Sequence, residues 1–260
     1  MIRTVTATRY VRPLREGGSL PAIIEADDDG MYVLKFRGAA QGPKALIAEL
    51  ICGEIGRALG LPVPEVVFVE FDGALGRNEP HTEIQELMGR SAGLNLALDY
   101  LPGSFNFDPL NASGVAPDLA ARIVWFDAYI TNIDRTPRNP NMLLWHRKLW
   151  LIDHGAALYL HHTWADWRTR TRGRFAPIKD HILLGVTGDL QAADAALAAL
   201  VTPDLIAELV ESIPAAWLLG EPAFADVEEH RAAYVTYLSE RLQAPRLFVE
   251  EAAHARAQCL

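Results

Sequence analysis

The chain contains only two cysteines, Cys52 and Cys259, far apart and outside any C-x-x-C spacing. That scarcity excludes a disulfide framework and a cysteine zinc cluster, and it fits a reducing cytoplasm. Positive charge is also in deficit: 24 Lys and Arg stand against 33 Asp and Glu, a formal charge of −9. A basic face able to bind a nucleic-acid backbone or an anionic membrane is therefore not expected. No stretch approaches the ~18 apolar residues of a membrane span. Met1-Ile2-Arg3-Thr4-Val5-Thr6 has no apolar run of the kind found in signal peptides. These absences exclude classes of protein without naming a chemistry.

What is present is a globular composition: 260 residues, 50% hydrophobic and 22% charged. This is enough for a substantial core in one large domain or two lobes sharing an interface. Val5 to Leu14, Leu20 to Glu25 and Met31 to Phe36 read as a strand meander, with turns at Arg15-Glu16-Gly17-Gly18-Ser19 and Asp27-Asp28-Asp29-Gly30. From Pro43 to Leu59 the apolar period becomes helical, and Gly60, Pro62 and Pro64 end the helix. Val66 to Phe71 and Thr82 to Met88 read as two further strands, giving five strands and one helix up to about Gly89.

Helical patterns dominate after Gly89, interrupted by a loop from Phe105 to Pro117 rich in Asn, Gly, Ser and Pro. Asp118 is placed to cap a helix running to about Ile130. A polar loop, Thr131 to Asn141, leads into a hairpin of Met142–Trp145 and Leu149–Ile152 around His146-Arg147-Lys148. Beyond Asp180 the chain is largely helical.

The polar loop holds the residues best suited to chemistry. If the hairpin sets Asn141 beside Asp153, with Asn139 just beyond, a carboxylate and an amide oxygen converge at one end of a rigid ribbon. Such hard oxygen ligands suit Mg²⁺, which keeps room for phosphate oxygens. Asp134, on the same loop, would face that site across a substrate hydroxyl. Asp127, inside the preceding helix, is expected to anchor the loop by hydrogen bonds.

The order Asp134…Asn139, hairpin, Asp153-His154-Gly155 resembles the protein-kinase-like superfamily, whose typical members carry H-R-D, then D-x-x-x-x-N, then D-F-G. Here Asn132-Ile133-Asp134-Arg135 stands where H-R-D would be, and His154 takes the Phe position. That variant is similar to the phosphatidylinositol-kinase and HipA-like branches. The chain length, Leu59-Gly60-Leu61-Pro62-Val63-Pro64 and Ile213-Pro214-Ala215-Ala216-Trp217-Leu218 look most like compact HipA-like kinases.

The resemblance implies an α+β, bilobal protein-kinase-like fold: a β-rich nucleotide-binding lobe over residues 1–89 and a helical lobe over 90–260 carrying the catalytic loop and metal-binding hairpin. It implies that Lys35, in the third strand, neutralises the α- and β-phosphates of ATP. Glu49, on the helix, would position Lys35, with Glu54 the weaker candidate. Asn139 and Asp153 would coordinate Mg²⁺, and Asp134 would accept the proton of the acceptor hydroxyl. Gly17, Gly18 and Ser19 stand where a phosphate-covering loop would fall, without the full G-x-G-x-x-G spacing. Adenine recognition is expected from backbone near Glu86, Leu87 and Met88.

The function so implied is ATP- and Mg²⁺-dependent phosphate transfer to a hydroxyl acceptor, most like that of a protein Ser/Thr kinase. A small-molecule kinase and a catalytically silent nucleotide-binding or interaction module are the alternatives. Thr163, Thr169 and Thr171 fall in the mobile segment where this family often autophosphorylates. His161-His162 reads as an exposed loop pair. Arg168, Arg170, Arg172 and Arg174 read most simply as a solvated loop, or as cations for a phosphorylated or acidic substrate.

Overall fold

The structure, a computed structural model, describes residues 2–14 and 20–259. Its first part is a closed barrel of five strands in the order β1 (Thr4–Pro13), β2 (Ala22–Ala26), β3 (Met31–Lys35), β5 (Gly93–Asp99), β4 (Val66–Phe71). All neighbours are antiparallel except β1 and β4, which close the barrel in parallel through Thr4↔Phe68 and Val5↔Val69. Alternating side chains fill the interior: Val5, Ala7, Ile24, Tyr32, Leu34, Val67, Val69 and Ala97 are buried together.

The helix α1 (Gly42–Ala58) follows β3. Residues 46–53 are buried without a break, because α1 is sandwiched between the barrel and the helices of the second half. Its small residues allow this close approach. A Cβ on Gly53 would lie 3.0 Å from Val66 Cγ2 on β4, and one on Gly56 2.9 Å from Val63 Cγ2 and 3.2 Å from Phe126 Cζ.

One expected strand is a helix. Thr82 to Met88 belongs to α2 (Thr82–Arg90), which drives Ile84, Leu87 and Met88 into the barrel core at helical spacing. The fifth strand is instead Gly93–Asp99, paired to both β3 and β4. The division expected near residue 89 therefore falls inside α2, and the barrel continues to Asp99.

The second half is mainly helical. A short strand β6 (Phe105–Asn106) joins β7 (Met142–Trp145) and β8 (Lys148–Leu151) in a small antiparallel sheet, with α3 (Pro117–Tyr129) between β6 and β7 in sequence. His146 and Arg147 both have positive φ (48° and 62°) in the two-residue turn between β7 and β8, the handedness a tight hairpin requires. After the one-turn α4 (Trp167–Arg170) come α5 (Leu190–Leu197), α6 (Pro203–Glu211), α7 (Ala215–Leu218), α8 (Val227–Arg241) and α9 (Leu247–Ala257). Asp189, Thr202 and Asp226 cap α5, α6 and α8 with their side-chain oxygens. One apolar cluster runs through α1, α3 and the late helices, taking in Leu50, Ile55, Phe126, Tyr129, Tyr234 and Phe248. Among the described residues no helix is long and apolar enough to cross a membrane.

Candidate active site

A cleft of about 1240 Å³ opens between the barrel and the small sheet. Lys35, Asp134, Asn139 and Asp153 all line it. Lys35, at the end of β3, is nearly buried and lies between two carboxylates, 2.6 Å from Glu49 Oε2 and 2.5 Å from Asp153 Oδ1. Burial lowers the pKa of this lysine, but Glu49 and Asp153 outweigh it and hold the pKa above the ordinary value. Burial likewise pushes the Glu49 carboxyl up, and the opposing pull of Lys35 and His154 brings it down to about 2. Glu54 is paired instead with Arg57 at 3.1 Å.

Asn141 and Asp153 flank the hairpin, one residue out of the expected register: Met142 pairs with Leu151, and Ile152 N donates to Asn141 O at 3.0 Å. Both residues are left-handed, with φ of 48° and 57°, a conformation that Asn and Asp tolerate better than most side chains. The resulting bends turn Asn141 and Asp153 into the cleft.

The loop before the hairpin gathers on one acceptor. Asn139 Nδ2 donates to Asp134 Oδ2 at 2.7 Å, and Asn141 Nδ2 to the same oxygen at 3.2 Å. A carboxylate accepts only, so these contacts fix each amide with its nitrogen toward Asp134 and leave Oδ1 as the oxygen available to a cation. An amide oxygen together with the half-exposed Asp153 carboxylate fits a hard cation such as Mg²⁺. No cluster of three or more His, Cys, Asp or Glu side chains suited to a metal occurs among the described residues.

The loop is held from beneath by Asp127. Its carboxylate accepts from Asn132 Nδ2 at 2.9 Å and Arg135 Nε at 2.6 Å, and contacts His181 Nε2 at 2.9 Å. Burial raises the Asp127 pKa, but Arg135 and His181 more than offset it and leave it well below the usual carboxylate range. Arg135 also donates to the carbonyl of Asn141, and Asn132 Oδ1 accepts from Asp134 N at 3.1 Å. Sequence reasoning assigned no role to Asn132, Arg135 or His181. The available signal was Asp127 itself: a carboxylate within an apolar helix face demands a buried cation nearby.

Other expected site residues lie elsewhere. Glu86 is exposed on α2, and Met88 is buried in the barrel core, so neither lines the cleft. The segment that does leave the barrel along the cleft wall is Leu98-Asp99-Tyr100-Leu101. Gly17, Gly18 and Ser19 lie outside the described residues. His161 is fully buried, with Nδ1 3.0 Å from the Tyr234 hydroxyl, while His162 is exposed and lines the cleft. Arg168 stacks on Trp167, Arg170 contacts Thr163, Arg172 donates to Ala244 O, and Arg174 pairs with Glu250. Thr171 is buried, its hydroxyl donating to Glu240. Thr163 and Thr169 are exposed.

A strand lysine is held by a helix glutamate beside a loop and hairpin that supply Asp and Asn to the same cleft. The solved structure of the Helicobacter pylori proinflammatory kinase CtkA is similar, with a TM-score of 0.56 and 13% sequence identity over 100% of this chain and 99% of that one. At that identity the likeness concerns the fold alone, a strand-rich N-terminal part followed by a helical part. No curated protein matches the chain in sequence. The architecture is similar to that of a solved kinase structure. The sequence profile of the HipA-like kinases matches residues 8–248, and the chain belongs to that family.

Proposed function

We propose that the protein is an ATP- and Mg²⁺-dependent phosphotransferase that moves the γ-phosphate to a hydroxyl acceptor, with a protein serine or threonine the favoured acceptor. The barrel and the helical part act as the two lobes of a bilobal kinase, with the nucleotide in the cleft between them. The observation that carries this reading is Lys35 Nζ, charged and held 2.6 Å from Glu49 and 2.5 Å from Asp153 in the wall of that cleft.

In this reading Lys35 offsets the charge of the α- and β-phosphates, and Glu49 keeps its ammonium in place. Asp153 and Asn139 hold Mg²⁺, which when bound neutralises phosphate charge and aligns the phosphoryl group. Asp134 orients the acceptor hydroxyl and takes its proton. Asn139 and Asn141 fix the Asp134 carboxylate through Oδ2, which leaves Oδ1 for the acceptor. Because phosphoryl transfer passes through a loose transition state, positioning and charge stabilisation are what such a site must supply. The apolar wall of Val33, Leu98, Leu101, Met142 and Ile152 suits a purine ring.

Intact mass after incubation with MgATP, alone and with cell extract, tests the reading. A mass gain of one phosphate on the chain, or on a protein of the extract, supports a protein kinase. ATP turnover only when a sugar or alcohol is added would move the acceptor to a small molecule. Nucleotide binding that ignores Mg²⁺, with no transfer to any acceptor, would overturn it.

A further inference from the structure

The small sheet has one face in the core and one that covers nothing. By the register of β7 and β8, Met142, Leu144, Leu149 and Leu151 share a face, and Leu143, Trp145, Lys148 and Trp150 share the other. Met142, Leu149 and Leu151 are buried in the main apolar cluster, and Leu144 packs against it. Leu143, Trp145 and Trp150 are half-buried and belong to neither apolar cluster. Two tryptophans therefore stand on a sheet face with no core beneath it. Their ring centroids lie 5.7 Å apart, and Trp145 Nε1 donates to Pro102 O at 2.9 Å, which anchors that ring to the surface.

The tip of the same hairpin carries three basic side chains in succession, His146, Arg147 and Lys148. All three are exposed, and none makes a side-chain hydrogen bond or ion pair among the described residues. Asn and Gly fill the left-handed positions of such a turn at least cost, so the turn itself does not call for His and Arg there. In a chain of net charge −9, this tip is a local reversal of sign with no acid to balance it. Tryptophan beside unpaired arginine is the composition of an interface centre, where a partner removes both from water.

We propose that this face docks an acidic segment of the protein acceptor, with its carboxylates on Arg147 and Lys148 and its apolar side chains on Trp145 and Trp150; this rests on the phosphotransferase reading above. Charge complementarity selects the occupant. A nucleic-acid strand fits less well, because Arg147 and Lys148 alone release few counterions from a phosphate backbone. The tryptophan rings also cross at 70°, so they offer successive bases no common stack. Leu143, at the other end of the face, lines the cleft together with Asp134. A segment held along the face keeps the acceptor near the cleft and raises the local concentration of its hydroxyls there. Choice among acceptors then lies in docking, apart from the groups that do the chemistry.

The test uses the full chain, as wild type, as Arg147→Lys and as the double variant Arg147→Glu with Lys148→Glu. Binding of a labelled glutamate–tyrosine copolymer is followed by anisotropy, with single-stranded DNA and phosphatidylserine vesicles alongside, and phosphate transfer from MgATP to proteins of a cell extract is measured in parallel. The double variant is expected to bind the copolymer about tenfold or more weakly and to label extract proteins less by a similar factor, with MgADP affinity kept within about twofold. Arg147→Lys should keep most of the binding, and unlabelled copolymer should suppress labelling by the wild type. Equal copolymer binding by wild type and double variant, or DNA or vesicles bound in preference to the copolymer, would overturn the proposal. A wild type that transfers phosphate to no protein, while copolymer binding is still lost in the double variant, would instead sink the phosphotransferase reading, and with it the acceptor as occupant.

Discussion

Asp127 and Arg135 form an ion pair that water does not reach: both side chains have zero exposure, with Arg135 Nε 2.6 Å from Asp127 Oδ2. The pair joins the end of α3 to the loop that presents Asp134, and Arg135 continues to the carbonyl of Asn141 at the foot of β7. One guanidinium thereby sets the relation between the helix, the loop and the hairpin.

Removing one partner leaves the other charged and buried. Arg135→Met is expected to destabilise the fold by about 3–5 kcal/mol, read by urea denaturation. A loss below about 1 kcal/mol, the range of an exposed pair, would show that the network is not a structural anchor.

The Lys35–Glu49 pair makes stability depend on acid. Glu49 titrates at about 2 in the fold against an ordinary 4.5. A carboxyl with a lowered folded pKa stabilises above its unfolded pKa, and that contribution is lost as pH falls toward the folded value. Asp127 acts in the same direction. Glu49→Gln should therefore flatten the stability profile between about pH 5 and about pH 2, a change visible in thermal unfolding across that range. A profile parallel to wild type would refute the assignment.

Asp153 and Asp134 should separate binding from chemistry. Asp153→Ala is expected to abolish Mg²⁺-dependent nucleotide binding measured by calorimetry. Asp134→Ala should keep binding within about threefold and lower transfer by about 10²-fold or more. Unchanged transfer in Asp134→Ala would remove it as the base.

Arg241 links distant segments through backbone carbonyls: Nε donates to Tyr129 O at 2.8 Å, and Nη2 to Ala128 O at 2.8 Å. Its Nη1 also reaches Thr171 O and Gly173 O, at 3.3 Å and 3.2 Å. It therefore satisfies the end of α3 and ties down the segment after α4. Arg241→Ala leaves buried acceptors unpaired and should cost about 3 kcal/mol, with faster proteolysis near residues 171–173. A normal melting temperature would contradict this.

The residues of the cleft were largely legible because their chemistry needs particular types in a particular order. Lys35 interrupts an apolar strand, and Glu49 lies among small residues on its helix, so each stood out against a simple local pattern. The failures came where local pattern is ambiguous. Thr82–Met88 offers Ile84, Glu86 and Met88 at strand spacing and Ile84, Leu87 and Met88 at helical spacing, and burial in the barrel mouth decided for the helix. Gly93–Asp99 has the Leu and Ala content of a helix, but pairing to β3 and β4 made it a strand. Mistaking one for the other put the expected adenine contacts at Glu86 and Met88. With no third metal ligand at a recognisable spacing, His161-His162 reads as an exposed loop pair; Tyr234, distant in sequence, supplies the partner that permits the burial of His161.

The sandwiching of α1 has a mechanical consequence. Withdrawing Glu49 from Lys35 by swinging this helix outward would strip Leu46, Leu50, Ile51 and Ile55 from the apolar cluster that α1 shares with α3. At about 1.5–3 kcal/mol for each such side chain, the motion would cost roughly as much as the whole stability of a typical domain. On–off control by a hinged helix is energetically closed to this fold.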